Sequence, residues 1–252
     1  MENKTIFFNK EEVPLEVKES INILRGSIQL DENKFKVIAI TSSLPNEGKS
    51  VVAFNLAESM ASLNKKVLYF DTDIRNSYIK SRYNINQDVV GLSEFLTDKC
   101  HAGEIIYNTQ NEYLDVIFSG SKVENPSEIV SKPELKQLID YLKDQYDYII
   151  VDTPPINFII DGILISKQCD TTILVVSSGT TDKSYITHAK KKLQSANINI
   201  LGVVLNKVGG KGHSYGYGYG YGYGYGYGYG YGTYGEEKPE KKGLFKRKKR
   251  NL

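Results

Sequence analysis

The segment TSSLPNEGKS, residues 41–50, joins a short β-branched run (FKVIAIT, 35–41) to a helical pattern (SVVAFNLAESMASLN, 50–64). A loop in that position can point backbone N–H groups at phosphate oxygens, at the N-terminus of a helix whose partial positive charge favours anions. Its spacing matches the phosphate-loop motif G-x-x-x-x-G-K-[ST] at Gly48, Lys49 and Ser50, with Ser43 where the first glycine would stand. The chemistry expected is nucleotide-phosphate binding. Ser43, Asn46, Glu47, Gly48 and Val51 belong to the cradle, Lys49 offsets β- and γ-phosphate charge, and the Ser50 hydroxyl ligates Mg²⁺.

Two further apolar runs end in carboxylates. VLYFDTDIR (67–75) delivers Asp71 and Asp73, and YIIVDTPP (148–155) delivers Asp152. In an open parallel sheet the carboxyl ends of the strands share one edge, where ligands bind. The three acids are therefore expected beside the phosphate loop, with Ser50 and Asp152 as oxygen donors for Mg²⁺. Taken singly, a strand-end Asp is as often a cap or turn residue.

The elements that must position these groups alternate along the chain. Apolar residues at 17, 21, 24 and 28 predict a helix from Leu15 to about Leu30, after a polar and loose segment 1–14. Helices are predicted again at 91–98, 132–146 and 183–196, and strands at 113–120, 169–179 and 198–208. Strands that read as continuous apolar runs between helices imply an α/β fold of the P-loop NTPase type, a mostly parallel sheet covered on both faces. The expected organisation is an N-terminal segment and helix (1–34), an ATPase-like domain (35–208), a tyrosine-rich tail (209–235) and a basic end (236–252).

The net charge of +2 conceals an asymmetry, because residues 238–250 carry eight Lys/Arg and one Glu. That run is read either as a solvated terminus or as a peripheral contact with anionic lipid. Nothing in the domain resembles a nucleic-acid reading module. Cys100 and Cys169 are far apart and the three histidines show no ligand spacing, so both thiols are expected reduced and half-buried in a cytosolic protein. No apolar run approaches the roughly 18–20 residues that span a bilayer. The tail GYGYGYGYGYGYGYGYG (216–232) contains no core-forming pattern and is read as disordered.

SSLPNEGKS, DTDIR, IIVDTPP and the C-terminal tyrosine cluster together resemble the bacterial protein-tyrosine kinases. Over roughly 15–235 the chain is similar to the separate cytoplasmic kinase subunit of capsule and exopolysaccharide assembly systems of Gram-positive type. The resemblance implies ATP and Mg²⁺ as cofactors and nucleotide binding by Gly48, Lys49 and Ser50. It also implies Mg²⁺ linkage through Ser50 and Asp152, with Asp71 and Asp73 as catalytic or metal-shell carboxylates. Asn206, in GVVLNKV, occupies the place where relatives contact adenine. Arg75 belongs to the motif without an assigned role.

The family further implies autophosphorylation of the tail in trans, with Tyr215, Tyr217, Tyr219, Tyr221, Tyr223, Tyr225, Tyr227, Tyr229, Tyr231 and Tyr234 as acceptors. Asp71 is the first candidate to take or align the acceptor proton, and Asp73 the other. The early helix resembles a subunit contact E-x-x-R-x-x-R in Glu19 and Arg25, from which Asn22 departs in the middle position. Self-association, a membrane-anchored activator subunit and a tyrosine phosphatase are the implied partners, and the inner face of the cell membrane the implied location.

Two other readings stay open on sequence. The tail's strict alternation can place every tyrosine on one face of a self-associating or adhesive ribbon. The domain can be a MinD/ParA-type ATPase acting as a positioning or scaffolding switch, although the lysine those proteins carry early in the loop is absent here.

Overall fold

The computed structural model describes residues 5–9, 12–31, 34–85 and 87–209. The sequence readings of the tyrosine tail and of the basic end (Tyr215 onward) lie outside the described residues. Strands are β1 (Thr5–Ile6), β2 (Val37–Ser42), β3 (Val67–Asp71), β4 (Ile106–Thr109), β5 (Leu114–Ile117), β6 (Tyr148–Asp152), β7 (Thr171–Ser177) and β8 (Ile200–Asn206). Helices are α1 (Leu15–Gln29), α2 (Lys49–Ala61), α3 (Ile79–Arg82), α4 (Leu92–Leu96), α5 (Pro126–Val130), α6 (Pro133–Lys143), α7 (Asp161–Ser166) and α8 (Lys183–Ser195).

The strands form one sheet in the order β1-β4-β5-β3-β6-β2-β7-β8. Neighbours are parallel except β4 and β5, which are antiparallel, so β1 and β4 run against the rest. The central strands β2, β3, β6 and β7 are buried at all positions but the half-buried Tyr148, and mostly apolar, because both faces are covered. Ile38, Ile40, Tyr69 and Ile150 pack beneath α1 and α2 with Phe54 and Met60. Their strand neighbours Val37, Leu68, Phe70, Ile149 and Val151 face the opposite way, against α4, α5, α6 and α7. Leu174 and Val176 of β7 meet Ala189 and Leu193 of α8. Period-two alternation thus feeds separate cores on the two faces of the sheet.

The expected strands and longer helices are present, with three differences. Residues 5–9 are not loose: Thr5–Ile6 pairs with β4, and Phe8 is buried with its ring 4.8 Å from that of Phe54 and 5.3 Å from Tyr83. β4 is a reversed strand that the polar run 106–111 did not announce. α5 and α7 are single-turn helices in stretches that carry no helical period. Pairing of β3 with β6 sets Asp71 directly opposite Asp152. The register that buries Leu68 and Phe70 therefore also brings the two strand-end acids together.

Candidate active site

The phosphate loop owes its shape to two left-handed residues, Asn46 at φ 63° and Gly48 at φ 91°. Position 48 tolerates only glycine, because a Cβ there would lie 2.1 Å from Nδ2 of Asn206. The loop's amides can face a ligand only if its carbonyls point elsewhere and find donors. Asn206 Nδ2 donates to the Glu47 carbonyl at 2.9 Å, and Lys207 Nζ to the Asn46 carbonyl at 2.5 Å. The Asn206 amide therefore fixes the loop from behind.

Glu47 fills the role that the missing first glycine leaves open. Its buried carboxylate accepts from the Ser43 hydroxyl at 2.8 Å and the Leu44 N–H at 2.7 Å through one oxygen. The other oxygen accepts from the Ser177 N–H at 3.3 Å and the Thr181 hydroxyl at 2.5 Å. One side chain thus ties both ends of the loop together and fastens it to the β7–α8 connection. Sequence reasoning placed Glu47 in the cradle but missed this carboxylate brace, since its partners lie 130 residues and more away.

Lys49 opens α2 and extends its ammonium across the strand ends. Nζ is 3.2 Å from Asp73 Oδ2, 3.8 Å from Asp152 Oδ1 and 3.3 Å from the Ser50 hydroxyl. Burial alone would lower the Lys49 pKa, but the carboxylates of Asp152, Asp73 and Asp71 outweigh it and hold the ammonium above its ordinary value. Asp152 is raised by burial despite the opposing Lys49 charge. Asp71 is pushed up to about 7 by burial and by the nearby Asp152 charge, with the Ser77 hydroxyl opposing.

The two acids of the DTD segment differ in placement. Asp71 is turned inward: Oδ1 accepts from the Asp73 N–H at 3.0 Å and Oδ2 from the Ser77 hydroxyl at 2.5 Å. Asp73 lines an open cleft of about 730 Å³, along with Lys49, Ser50, Val51, Arg75, Tyr78 and Lys207. Its Oδ1 caps the Asn76 N–H at 3.0 Å while Oδ2 meets Lys49. A second cavity of about 280 Å³ lies between α1 and α2, remote from the acids.

Arg75 acquires a role here. Its Nε and Nη2 grip Asp161 at 2.7 and 3.3 Å, and Nη2 also reaches Ser127 at 2.9 Å. This clamp fastens the segment after β3 to the first turns of α5 and α7. Neither Ser127 nor Asp161 was visible as a partner in the sequence. Tyr69 was also missed, although its spacing to Asp71 places both on one face of β3; its hydroxyl donates to Asp152 Oδ2 at 2.9 Å.

Asp152 Oδ1 is buried and accepts no hydrogen bond among the described residues. A hard oxygen that faces the Lys49 ammonium at 3.8 Å without a hydrogen bond to it, beside the Ser50 hydroxyl at the mouth of a phosphate loop, belongs to a donor set that suits Mg²⁺. On α1, Glu19 is exposed, whereas Arg25 donates within its own chain to the Ser59 carbonyl at 2.7 Å and the Ser59 hydroxyl at 2.9 Å. Asn22 accepts from the same hydroxyl at 2.8 Å.

Comparison with known proteins agrees with this fold. Residues 35–200 match the AAA domain family. The chain is 38% identical over 191 residues to tyrosine-protein kinase CpsD of Streptococcus pneumoniae serotype 4, covering 76% of this chain and 84% of that protein. The kinase domain of Escherichia coli tyrosine kinase ETK superposes with a TM-score of 0.73 at 27% identity, over 84% of this chain and 94% of that one. The cell division ATPase MinD of Pyrococcus furiosus fits less well, with a TM-score of 0.60 at 26% identity over 69% and 73% of the two chains. By its fold, its phosphate loop with three converging acids, and this similarity, the chain belongs to the bacterial tyrosine-protein kinases of the CpsD type.

Proposed function

We propose that the chain transfers the γ-phosphoryl group of ATP to tyrosine hydroxyls, its own tail at 215–234 being the acceptor. The observation that carries this reading is Lys49, held between Asp73 and Asp152 at the mouth of a phosphate loop that is already formed. An ammonium with two carboxylate partners is drawn toward a triphosphate when one arrives, because a polyanion competes for it. Moving toward phosphate, Lys49 releases Asp73, the acid that lines the cleft. Asp73 then faces the incoming tyrosine hydroxyl, whose ordinary pKa near 10 keeps it neutral until a base takes its proton. Loop amides and Lys49 hold the γ-phosphoryl group and offset its charge. Asp71 keeps Asp73 in place through its backbone N–H.

Ser50 and Asp152 are the residues that would hold Mg²⁺, which would supply positive charge to offset that of the phosphates. Asn206 would contact the adenine end of the nucleotide while its amide holds the Glu47 carbonyl of the loop. In the sequence each tyrosine of the repeat is flanked by glycines, which have no side chain to obstruct its entry to the cleft. Transfer in trans, between self-associated copies through Glu19 and Arg25, completes the proposal. It also includes regulation of capsular or exopolysaccharide synthesis and export, with a membrane-anchored activator, a tyrosine phosphatase and a place at the inner face of the membrane. Among the described residues no helix is long and apolar enough to cross a membrane, which suits attachment through a partner.

Mixing a Lys49→Met chain with a chain whose tail tyrosines are removed tests the trans step. The assay contains γ-labelled ATP, Mg²⁺ and the activator's cytoplasmic segment. Label on tyrosines of the Lys49→Met chain is the expected result; label released only as free phosphate contradicts the kinase reading.

A further inference from the structure

Beside the cleft, large apolar side chains stand exposed on a segment that is firmly held. Between β6 and α7, Phe158 is 68% and Ile160 53% exposed, and Tyr185 in the first turn of α8 is 40% exposed. The Phe158 and Tyr185 ring centroids are 6.1 Å apart at 60°. Their neighbours Pro155 and Ile159 form part of the cleft wall. The segment cannot fold these side chains away. Asn157 is buried and donates through Nδ2 to the Tyr185 carbonyl at 3.0 Å, while Lys192 Nζ donates to the carbonyls of Ile156 and Asn157 at 3.1 and 2.6 Å. Apolar side chains fastened in water at the lip of a site mark a surface that receives a partner.

We propose that Phe158, Ile160 and Tyr185 form an aromatic rest for the Gly/Tyr repeat of this chain, gripping tyrosines next to the one undergoing transfer. The inference builds on the kinase reading above. Three features of the repeat fit the rest. In an extended strand, residues two apart lie on one face about 6.6–6.8 Å apart, and rings pair at centroid distances of 4.5–7 Å. Phe158 is adjacent in the chain to the cleft residue Ile159, so a spacing of that size would suit a tyrosine in the cleft with its i+2 neighbour on the rest. The repeat 216–232 carries no charge, matching an uncharged rest. In the sequence the repeat starts nine residues after Lys207, which lines the same cleft. A single site with a rest beside it favours tyrosines in series over isolated ones.

The test uses the full chain with its ten tail tyrosines changed to serine, in ADP and Mg²⁺. Two fluorescent peptides of equal length are compared by anisotropy: six Gly-Tyr units, and a Gly-Ser peptide with one central tyrosine. The repeat is expected to bind at least fivefold more tightly than the single-tyrosine peptide. Phe158→Ser and Tyr185→Ser should each remove that advantage and leave single-tyrosine binding unchanged, while Tyr185→Phe preserves it. Both side chains are exposed, and a melting curve equal to wild type confirms an intact fold. Unchanged repeat affinity in Phe158→Ser overturns the proposal, as does an equal loss for both peptides, which would assign the patch to a different partner. A parallel incubation with γ-labelled ATP and the activator segment separates the two readings. Binding preference without tyrosine label removes the kinase reading and leaves the rest standing.

Discussion

Lys49 and the carboxylates around it decide what the site can do before any ligand enters. Asp73 faces the cleft and Asp71 does not, although both come from one DTD segment, because β3 ends at Asp71 and the chain turns beyond it, where Asp73 caps the Asn76 N–H, so strand alternation does not carry on to Asp73. Asp73→Asn keeps the Asn76 cap but loses the proton acceptor. Turnover should fall at least about 100-fold with no loss of ADP affinity, measured by single-turnover transfer and calorimetry; wild-type turnover would return the role to Asp71. Asp71 leads to a pH prediction with a definite sign. Its folded value near 7 exceeds the ordinary 3.8, so the folded state holds a proton that the unfolded state has released. Stability therefore falls as pH rises between those values. Asp71→Asn escapes that penalty: its melting temperature should exceed wild type at pH 8, by a margin that narrows toward pH 5. An unchanging margin would contradict the raised value.

Elements place these side chains through long-range bonds, and here sequence and structure part company. The phosphate loop and the strand-end acids were legible because their signals are local: a glycine, lysine and serine in fixed spacing, and apolar runs closing on Asp. The braces were not. Glu47 meets Ser177 and Thr181, and Arg75 meets Asp161, across 86 to 134 residues, and no pattern within one segment records such pairs. Phe8 was hidden for another reason: the three apolar residues Ile6, Phe7 and Phe8 inside a polar segment are too short a run to show a period, yet Phe8 closes a cluster with Phe54 and Tyr83. Phe8→Ala should destabilise the fold by about 3 kcal/mol, read by urea denaturation; a loss below 0.5 kcal/mol would restore the loose reading. Glu47→Gln places an N–H against donors that need an acceptor, and should weaken ADP binding about tenfold, or roughly 1.4 kcal/mol. Thr181→Val, at the far end of the same brace, should weaken it less while turnover at saturating ATP stays as in wild type.

At the scale of the whole molecule, the sheet order sets β3, β6, β2 and β7 side by side in the middle. The acids and the loop all sit at the carboxyl ends of these strands, the edge of an open parallel sheet where ligands bind. β8 ends in Asn206, and Asn206 and the next residue, Lys207, hold the loop's outward carbonyls. The strand that leads into the tyrosine tail is thus the one that fixes the phosphate loop. A positional ATPase would use the same loop and acids with water as acceptor, so the identity of the acceptor separates the two readings.

Phosphosite mapping by mass spectrometry puts that question most directly. Wild-type chain, Lys49→Met chain and the activator's cytoplasmic segment are incubated with ATP and Mg²⁺. The account predicts successive phosphate additions confined to tyrosines 215–234 in the wild type, and none when Lys49→Met is the only chain present. ATP turned over to ADP with those tyrosines unmodified would contradict it.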